Sequence, residues 1–284
     1  MARHRRKRAW LIPGVLLLCI GIPIGCSDSL ILGENRQTID PGAARREMVR
    51  VDSRAVECWI ARSPGASVHE PTAFVVFFIG KGGRADQWVT QVADSWGDKP
   101  VELWGMNYPG SGGSDGPVRV RQVGPDALAV YDKVRSIAGD RPIFVQGGSF
   151  GTTAALCVAA AKPVAGLILQ NPPPLRQLIL GNYGWWNLWL AAGPLAACVP
   201  DDLDSLANAR RCTAPAIFLL SENDRVVPIA YQEKVAAAYA GPKRVIHLAG
   251  GHDDRLPREA AEQLAAGKDW MWETSRRAST RPGQ

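Results

Sequence analysis

Short, unbroken apolar runs alternate along this chain with longer stretches of mixed polarity, and the spacing of the two predicts its elements. Residues 74–79 (Phe-Val-Val-Phe-Phe-Ile) carry no polar side chain, the pattern of a strand covered on both faces. A helical pattern follows over 86–96, then a strand over 101–107, a helix over 125–138 and a strand over 143–146. The small-residue stretch 152–161 reads as helix and 164–170 as strand. After an interruption the alternation resumes with strands at 216–220 and 244–248, a helix at 229–240 between them, and a closing helix at 258–272. Ahead of all this, 47–53 and 55–62 alternate with period two and predict an antiparallel hairpin. Repeated strand and helix units of this length predict an α/β fold, a mostly parallel central sheet with helices on both faces.

The interruption, about 171–212, opens on Pro172-Pro173-Pro174 and carries Tyr183, Trp185, Trp186 and Trp189. It is too long for a plain connection. It is expected to be a small cap over the carboxyl ends of the strands, where such sheets bind ligands. Its aromatic residues can pack the cap onto the domain, line an acyl pocket or touch a bilayer. With 284 residues, 46% of them hydrophobic, the chain can bury one large core. The expected organisation is an N-terminal segment over 1–26, a linker over 27–46, one domain over 47–274 and a disordered tail over 275–284.

Charge changes the picture only at the N-terminus. The formal net charge is +6, but Arg3, Arg5, Arg6, Lys7 and Arg8 supply five of the 33 basic residues, and the rest nearly balance the 27 acidic ones. A nucleic-acid partner is therefore not expected. The basic cluster and the apolar run from Trp10 to Cys26 have the form of an export signal. Ile24-Gly25-Cys26-Ser27 resembles a bacterial lipoprotein cleavage box, which would make Cys26 the lipidated first residue of the mature chain. Pro23 departs from that pattern. An uncleaved anchor and ordinary signal cleavage are the alternatives, and all three put the domain outside the cytoplasm, a lipoprotein or anchor keeping it on the membrane.

Four cysteines lie beyond that segment. Cys58 and Cys157 read as small buried hydrophobes, whereas Cys198 and Cys212 bracket an acidic stretch and could oxidise to a disulfide. No Cys or His pair has ligand spacing, and His252-Asp253-Asp254 is too thin a cluster, so no metal is expected. Nothing in the sequence implies a nucleotide or flavin cofactor.

Gly147-Gly148-Ser149-Phe150-Gly151 stands between a predicted strand and a predicted helix. A serine at the tip of so tight a turn has a strained backbone and an exposed hydroxyl, and it needs glycine where neighbouring Cβ atoms would collide. The helix behind it aims free N–H groups at the same point and favours negative charge there. A second match to the motif, Gly112-Gly113-Ser114-Asp115-Gly116, runs into Pro117 and loop instead of a helix. Ser149 is the expected nucleophile and Ser114 a polar turn residue.

A serine hydroxyl needs an imidazole to take its proton. Of the four histidines, His4 lies in the export segment, His69 precedes a strand at the far end, and His247 sits within the last strand. His252, in the loop Ala249-Gly250-Gly251-His252 after that strand, is the expected base. Asp224 at the end of the preceding strand is the favoured carboxylate to orient it, with Glu222 second.

With Ser149, Asp224 and His252 in that chain order, residues 47–272 resemble the α/β-hydrolase superfamily, on its serine-aminopeptidase-like and depalmitoylase-like branch. Asn107-Tyr108-Pro109-Gly110-Ser111-Gly112-Gly113-Ser114 is similar to that family's post-strand loop, and Asn171-Pro172-Pro173 and Asp204-Ser205-Leu206 to its cap borders. The resemblance implies an oxyanion hole from the backbone N–H groups of Lys81 and Phe150. The family loop begins His-Gly; here it reads Ile79-Gly80-Lys81-Gly82-Gly83. The expected activity is hydrolysis of an ester or thioester of a small-molecule or lipid-like acyl substrate through an acyl-enzyme. A peptidase or amidase with the same triad, and a non-catalytic binding module on this fold, remain open. Oligomeric state is not legible.

Overall fold

In the computed structural model, residues 27–185 and 190–279 are described. The export segment, Cys26, Trp186 and Trp189 fall outside them. The centre is one eight-stranded sheet, in spatial order β1-β2-β4-β3-β5-β6-β7-β8. The hairpin β1 (Arg45–Val51) and β2 (Arg54–Arg62) pairs antiparallel, and β2 runs antiparallel to β4 (Val101–Met106). From β4 onward every pair is parallel: β3 (Ala73–Phe78), β5 (Ile143–Gly148), β6 (Gly166–Gln170), β7 (Ala216–Ser221) and β8 (Lys243–Leu248). Every residue of β3, β4 and β7 is buried, as expected for central strands covered on both faces, with the one charged side chain among them, Glu102, accepting from Arg62 and Trp104, whereas the edge strand β8 exposes every residue but Ile246 and Leu248. This is the α/β-hydrolase fold, with helices packed around a mostly parallel sheet.

The helices are, in chain order, α1 (Ser27–Ile31), α2 (Pro64–Val68), α3 (Ala85–Asp94), α4 (Val120–Ala138), α5 (Gly151–Ala161), α6 (Leu175–Tyr183), α7 (Ala192–Ala197), α8 (Ser205–Ala209), α9 (Ile229–Ala238) and α10 (Arg258–Ser279). α5 is sunk almost entirely into the core, because Ala154, Ala155, Leu156 and Val158 let it lie close against β5. α6, α7 and α8, with a short 3-10 turn at Asp201–Leu203, fill the interval between β6 and β7.

Three expectations change. α4 begins at Val120 instead of near Pro125, which sits inside the helix. Val120 and Val123 continue the buried stripe of Ala127, Val130 and Val134, so packing outweighs the missing proline N–H. Asp28 Oδ1 also accepts from Val120 N at 2.8 Å, capping the helix from a distant part of the chain. The stretch read as a linker is ordered over its first part: α1 packs on the domain and Leu32 is fully buried, worth about 1.5–3 kcal/mol relative to exposure. The tail read as disordered from residue 275 is helical to Ser279.

All four described cysteines are free, so Cys198 and Cys212 form no disulfide. Cys212 is buried with its thiol against the Leu156 carbonyl, and burial pushes the thiols of Cys157 and Cys212 up to about 12.

Candidate active site

Three loops leave the carboxyl ends of β5, β7 and β8, and each carries one member of the expected triad. Ser149 follows β5 directly, with φ of +48°, the left-handed region that costs a non-glycine residue about 1–2 kcal/mol. The flanking glycines are obligatory on steric grounds. A Cβ on Gly151 would stand 2.1 Å from the Phe78 carbonyl oxygen, and one on Gly147 would stand 2.6 Å from that of Gly151. The turn is held from both sides, with Ser149 N donating to Gln170 O and Thr152 N to Ser149 O.

His252 Nε2 lies 3.0 Å from Ser149 Oγ, and His252 Nδ1 lies 2.6 Å from Asp224 Oδ2. The Asp224 carboxylate is fully buried and needs donors to be tolerated there. Val226 N and Val227 N both donate to its Oδ1 at 2.8 Å, and Gln232 Nε2 donates to its Oδ2 at 3.1 Å. A carboxylate in this setting takes the Nδ1 proton as an acceptor, which leaves the Nε2 lone pair facing the serine hydroxyl. The structure thus brings Ser149, Asp224 and His252 into one hydrogen-bonded relay.

Glu222, the second choice for the carboxylate, is exposed and stands 3.8 Å from His247 Nδ1 at the edge strand. Ser114 is buried, donates to Asn107 O and accepts from Glu57 N, a loop-building role.

Phe150 directly follows Ser149, and Lys81 directly follows Gly80. Phe150 opens α5, and the Lys81 turn passes so close that a Cβ on Gly80 would be 3.5 Å from Ser149 Cβ. Among the described residues neither the Lys81 N–H nor the Phe150 N–H has an acceptor. Tyr108 Oη donates to Ile79 O at 2.7 Å and its ring meets Phe150 edge-on at 5.5 Å, tying the two loops together.

Several supporting residues escape sequence reasoning. Gln232, on the first turn of α9, is completely buried; it accepts from Ser221 N and donates to Val227 O as well as to Asp224. Asn171, with φ of +51°, donates to the His252 carbonyl at 3.1 Å and accepts from Ser221 N, linking β6 and β7 to the histidine loop. Glu57 gathers Arg46, Asn107 and Gly113 N around the glycine-rich loop. Of Gln232, Asn171 and Glu57, only Asn171, at a strand end before three prolines, carried a sequence signal.

Within the described residues no group of three or more His, Cys, Asp or Glu side chains could hold a metal ion. No helix among them is long and apolar enough to cross a membrane.

The family whose profile is described as the alpha/beta hydrolase fold matches residues 74–211. An uncharacterized protein of Mycobacterium tuberculosis is 27% identical over 174 residues, 60% of this chain and 59% of its own length. The lysophosphatidylserine lipase ABHD12 of Macaca fascicularis is 28% identical over 173 residues, 52% of this chain and 43% of its own. The chain therefore spans about half the length of the curated relatives it matches. Among solved structures, Est1E from Butyrivibrio proteoclasticus with ferulic acid bound superposes with a TM-score of 0.65 at 15% identity, covering 80% of this chain and 98% of that one. The Pyrococcus furiosus esterase Pf2001 gives 0.64 at 11%, over 85% and 95%.

Proposed function

We propose that this chain, which belongs to the α/β-hydrolase superfamily, is a serine hydrolase that cleaves an ester or thioester through an acyl-enzyme on Ser149. The observation that carries the reading is the relay itself, with Oγ to Nε2 at 3.0 Å and Nδ1 to Oδ2 at 2.6 Å. Ser149 Oγ attacks the acyl carbonyl while its proton passes to His252 Nε2, and Asp224 stabilises the imidazolium that forms. The carbonyl oxygen becomes an oxyanion, which the N–H groups of Lys81 and Phe150 and the N-terminal end of α5 stabilise. Collapse of this intermediate breaks the bond to the alcohol or thiol, which leaves with the Nε2 proton. Water, deprotonated by His252, then attacks the acyl-serine, and the acid departs as Ser149 regains its proton.

The lipase name carried by one relative supports a lipid-like acyl ester as the substrate class. Membrane attachment outside the cytoplasm, through lipidated Cys26, rests on the sequence of residues 1–26. It is tested by the mass of the mature N-terminal peptide, where a diacylated Cys26 is expected and an intact Met1 argues for an uncleaved anchor.

The activity is tested with a fluorophosphonate probe and a series of p-nitrophenyl esters of rising chain length. Wild type should be labelled and hydrolyse the esters, and Ser149→Ala should do neither. Labelling that persists in Ser149→Ala would move the nucleophile elsewhere. A wild type that neither labels nor turns over would favour a binding module on this fold.

A further inference from the structure

Residues 27–37 lie across two loops of the catalytic end. Gly82 N donates to Leu32 O at 3.0 Å, and Asn35 Nδ2 donates to Gly82 O at 2.9 Å, so both polar groups of the residue after Lys81 are taken by this arm. The Lys81 ammonium donates to Leu30 O, and Arg84 Nη1 donates to Gln37 O. On the other side Gly112 N donates to Asn35 O at 2.9 Å, and Arg36 Nη2 to Gly116 O at 2.9 Å. Fully buried Leu32 and the Asp28 cap on α4 seat the arm against the domain. Gly33, with φ of +78°, makes the close turn; a Cβ there would be 3.4 Å from Gly82 Cα.

The turn so gripped, Gly80 to Gly83, is closed by its own hydrogen bond from Gly83 N to Gly80 O. With glycine at three of its four positions it has little intrinsic preference for one conformation. The side chain of Lys81 reaches to the arm, and Gly80, the residue before it, lies against Ser149, where a Cβ on it would be 3.5 Å from Ser149 Cβ.

We infer that residues 30–35 are a positioning element of the active site, in which Asn35, the Leu32 carbonyl and the Lys81 side chain fix the 80–83 turn so that the Lys81 N–H is aimed at the oxyanion. The inference rests on the serine-hydrolase reading above. It accounts for a lysine at a position where catalysis uses only the backbone, since its side chain binds the arm. It also makes the segment that follows residues 1–26 a working part of the site, bound to the turn that flanks the nucleophile.

An oxyanion donor acts in the transition state, and losing its aim lowers kcat with little effect on substrate affinity; complete loss of one costs about 10²–10³-fold. In the full-length chain, Asn35→Ala and Lys81→Ala should each lower kcat for p-nitrophenyl butyrate about tenfold or more, with KM within about threefold. Lys81→Arg keeps a donor for the Leu30 carbonyl and should restore kcat to within about threefold of wild type. A thermal unfolding midpoint near that of wild type separates aim from folding. If Asn35→Ala fails to fold, the pair Lys81→Ala and Lys81→Arg carries the same comparison. Unchanged kcat in the folded variants, a loss confined to KM, or no rescue by arginine would overturn the inference while leaving the serine hydrolase in place. A wild type that is not labelled at Ser149 removes the underlying reading, and the inference with it.

Discussion

Asp224→Asn changes one atom and should reverse the proton logic of the site. Asp224 Oδ1 accepts two backbone N–H groups, so the asparagine carbonyl oxygen takes that position and its amide nitrogen takes the place of Oδ2. There it faces His252 Nδ1, to which Oδ2 stands at 2.6 Å, and the Gln232 amide, to which Oδ2 stands at 3.1 Å. An NH2 group can only donate to Nδ1, which puts the imidazole proton on Nε2, opposite Ser149 Oγ. In that tautomer the ring cannot take the serine proton. The expected loss in kcat at neutral pH is about 10⁴-fold, as for a triad whose geometry survives in the wrong tautomer. The Gln232 amide also loses one buried acceptor, a cost of about 1–3 kcal/mol in stability. Esterase rates under saturating substrate, with urea unfolding of the same preparation, measure both. A folded Asp224→Asn enzyme within tenfold of wild type would refute the assignment of Asp224 as the group that orients His252.

Gln232→Leu removes the side-chain donor to Asp224 Oδ2 while leaving the three relay side chains in place, and should lower kcat by about tenfold at unchanged KM and cost about 1–3 kcal/mol in urea; equal activity and stability would make Gln232 a bystander. Gly151→Ala drives a Cβ into the Phe78 and Ile79 carbonyls, and urea unfolding should show a loss of about 3 kcal/mol or more, or no soluble protein. Lys268 is buried with its ammonium on Ser95 O and Ser95 Oγ, and burial with nearby Lys99 lowers its pKa to about 7. The unfolded chain, with the ordinary lysine value of about 10.4, binds more protons than the folded chain between pH 7 and 10, so stability should rise with pH across that window by up to about 1.4 kcal/mol per unit and level off below pH 7. Lys268→Met should flatten that rise in urea midpoints taken at pH 7, 8 and 9, and an unaltered slope would place its origin elsewhere.

What could be read from the sequence follows from where the information is local. β3 and β7 declare themselves by unbroken apolar runs, and the Ser149 turn by glycines whose Cβ positions are occupied by backbone. Asp224 and His252 were legible because each follows a strand that the alternation locates. The supporting residues were not. Gln232 acquires its role from the packing of α9 against β7, and Asn35 from a long-range contact with Gly82, and neither leaves a periodic trace. The arm at 27–37 has only Leu30, Ile31 and Leu32 as an apolar cluster among polar residues, a composition indistinguishable from a linker until the domain surface is present. The start of α4 is hidden from the sequence for the same reason, since Asp28 caps it across the fold and Pro125 argues locally for a later start.

The central claim is that Ser149 carries the acyl group during turnover. Rapid acid quench of wild type with p-nitrophenyl butyrate, followed by peptide mass spectrometry, should find a butyryl group on Ser149, accumulating further in a variant slowed in deacylation and absent from Ser149→Ala. Steady ester turnover with Ser149 unmodified at every quench time, or an acyl group on another residue, would contradict it.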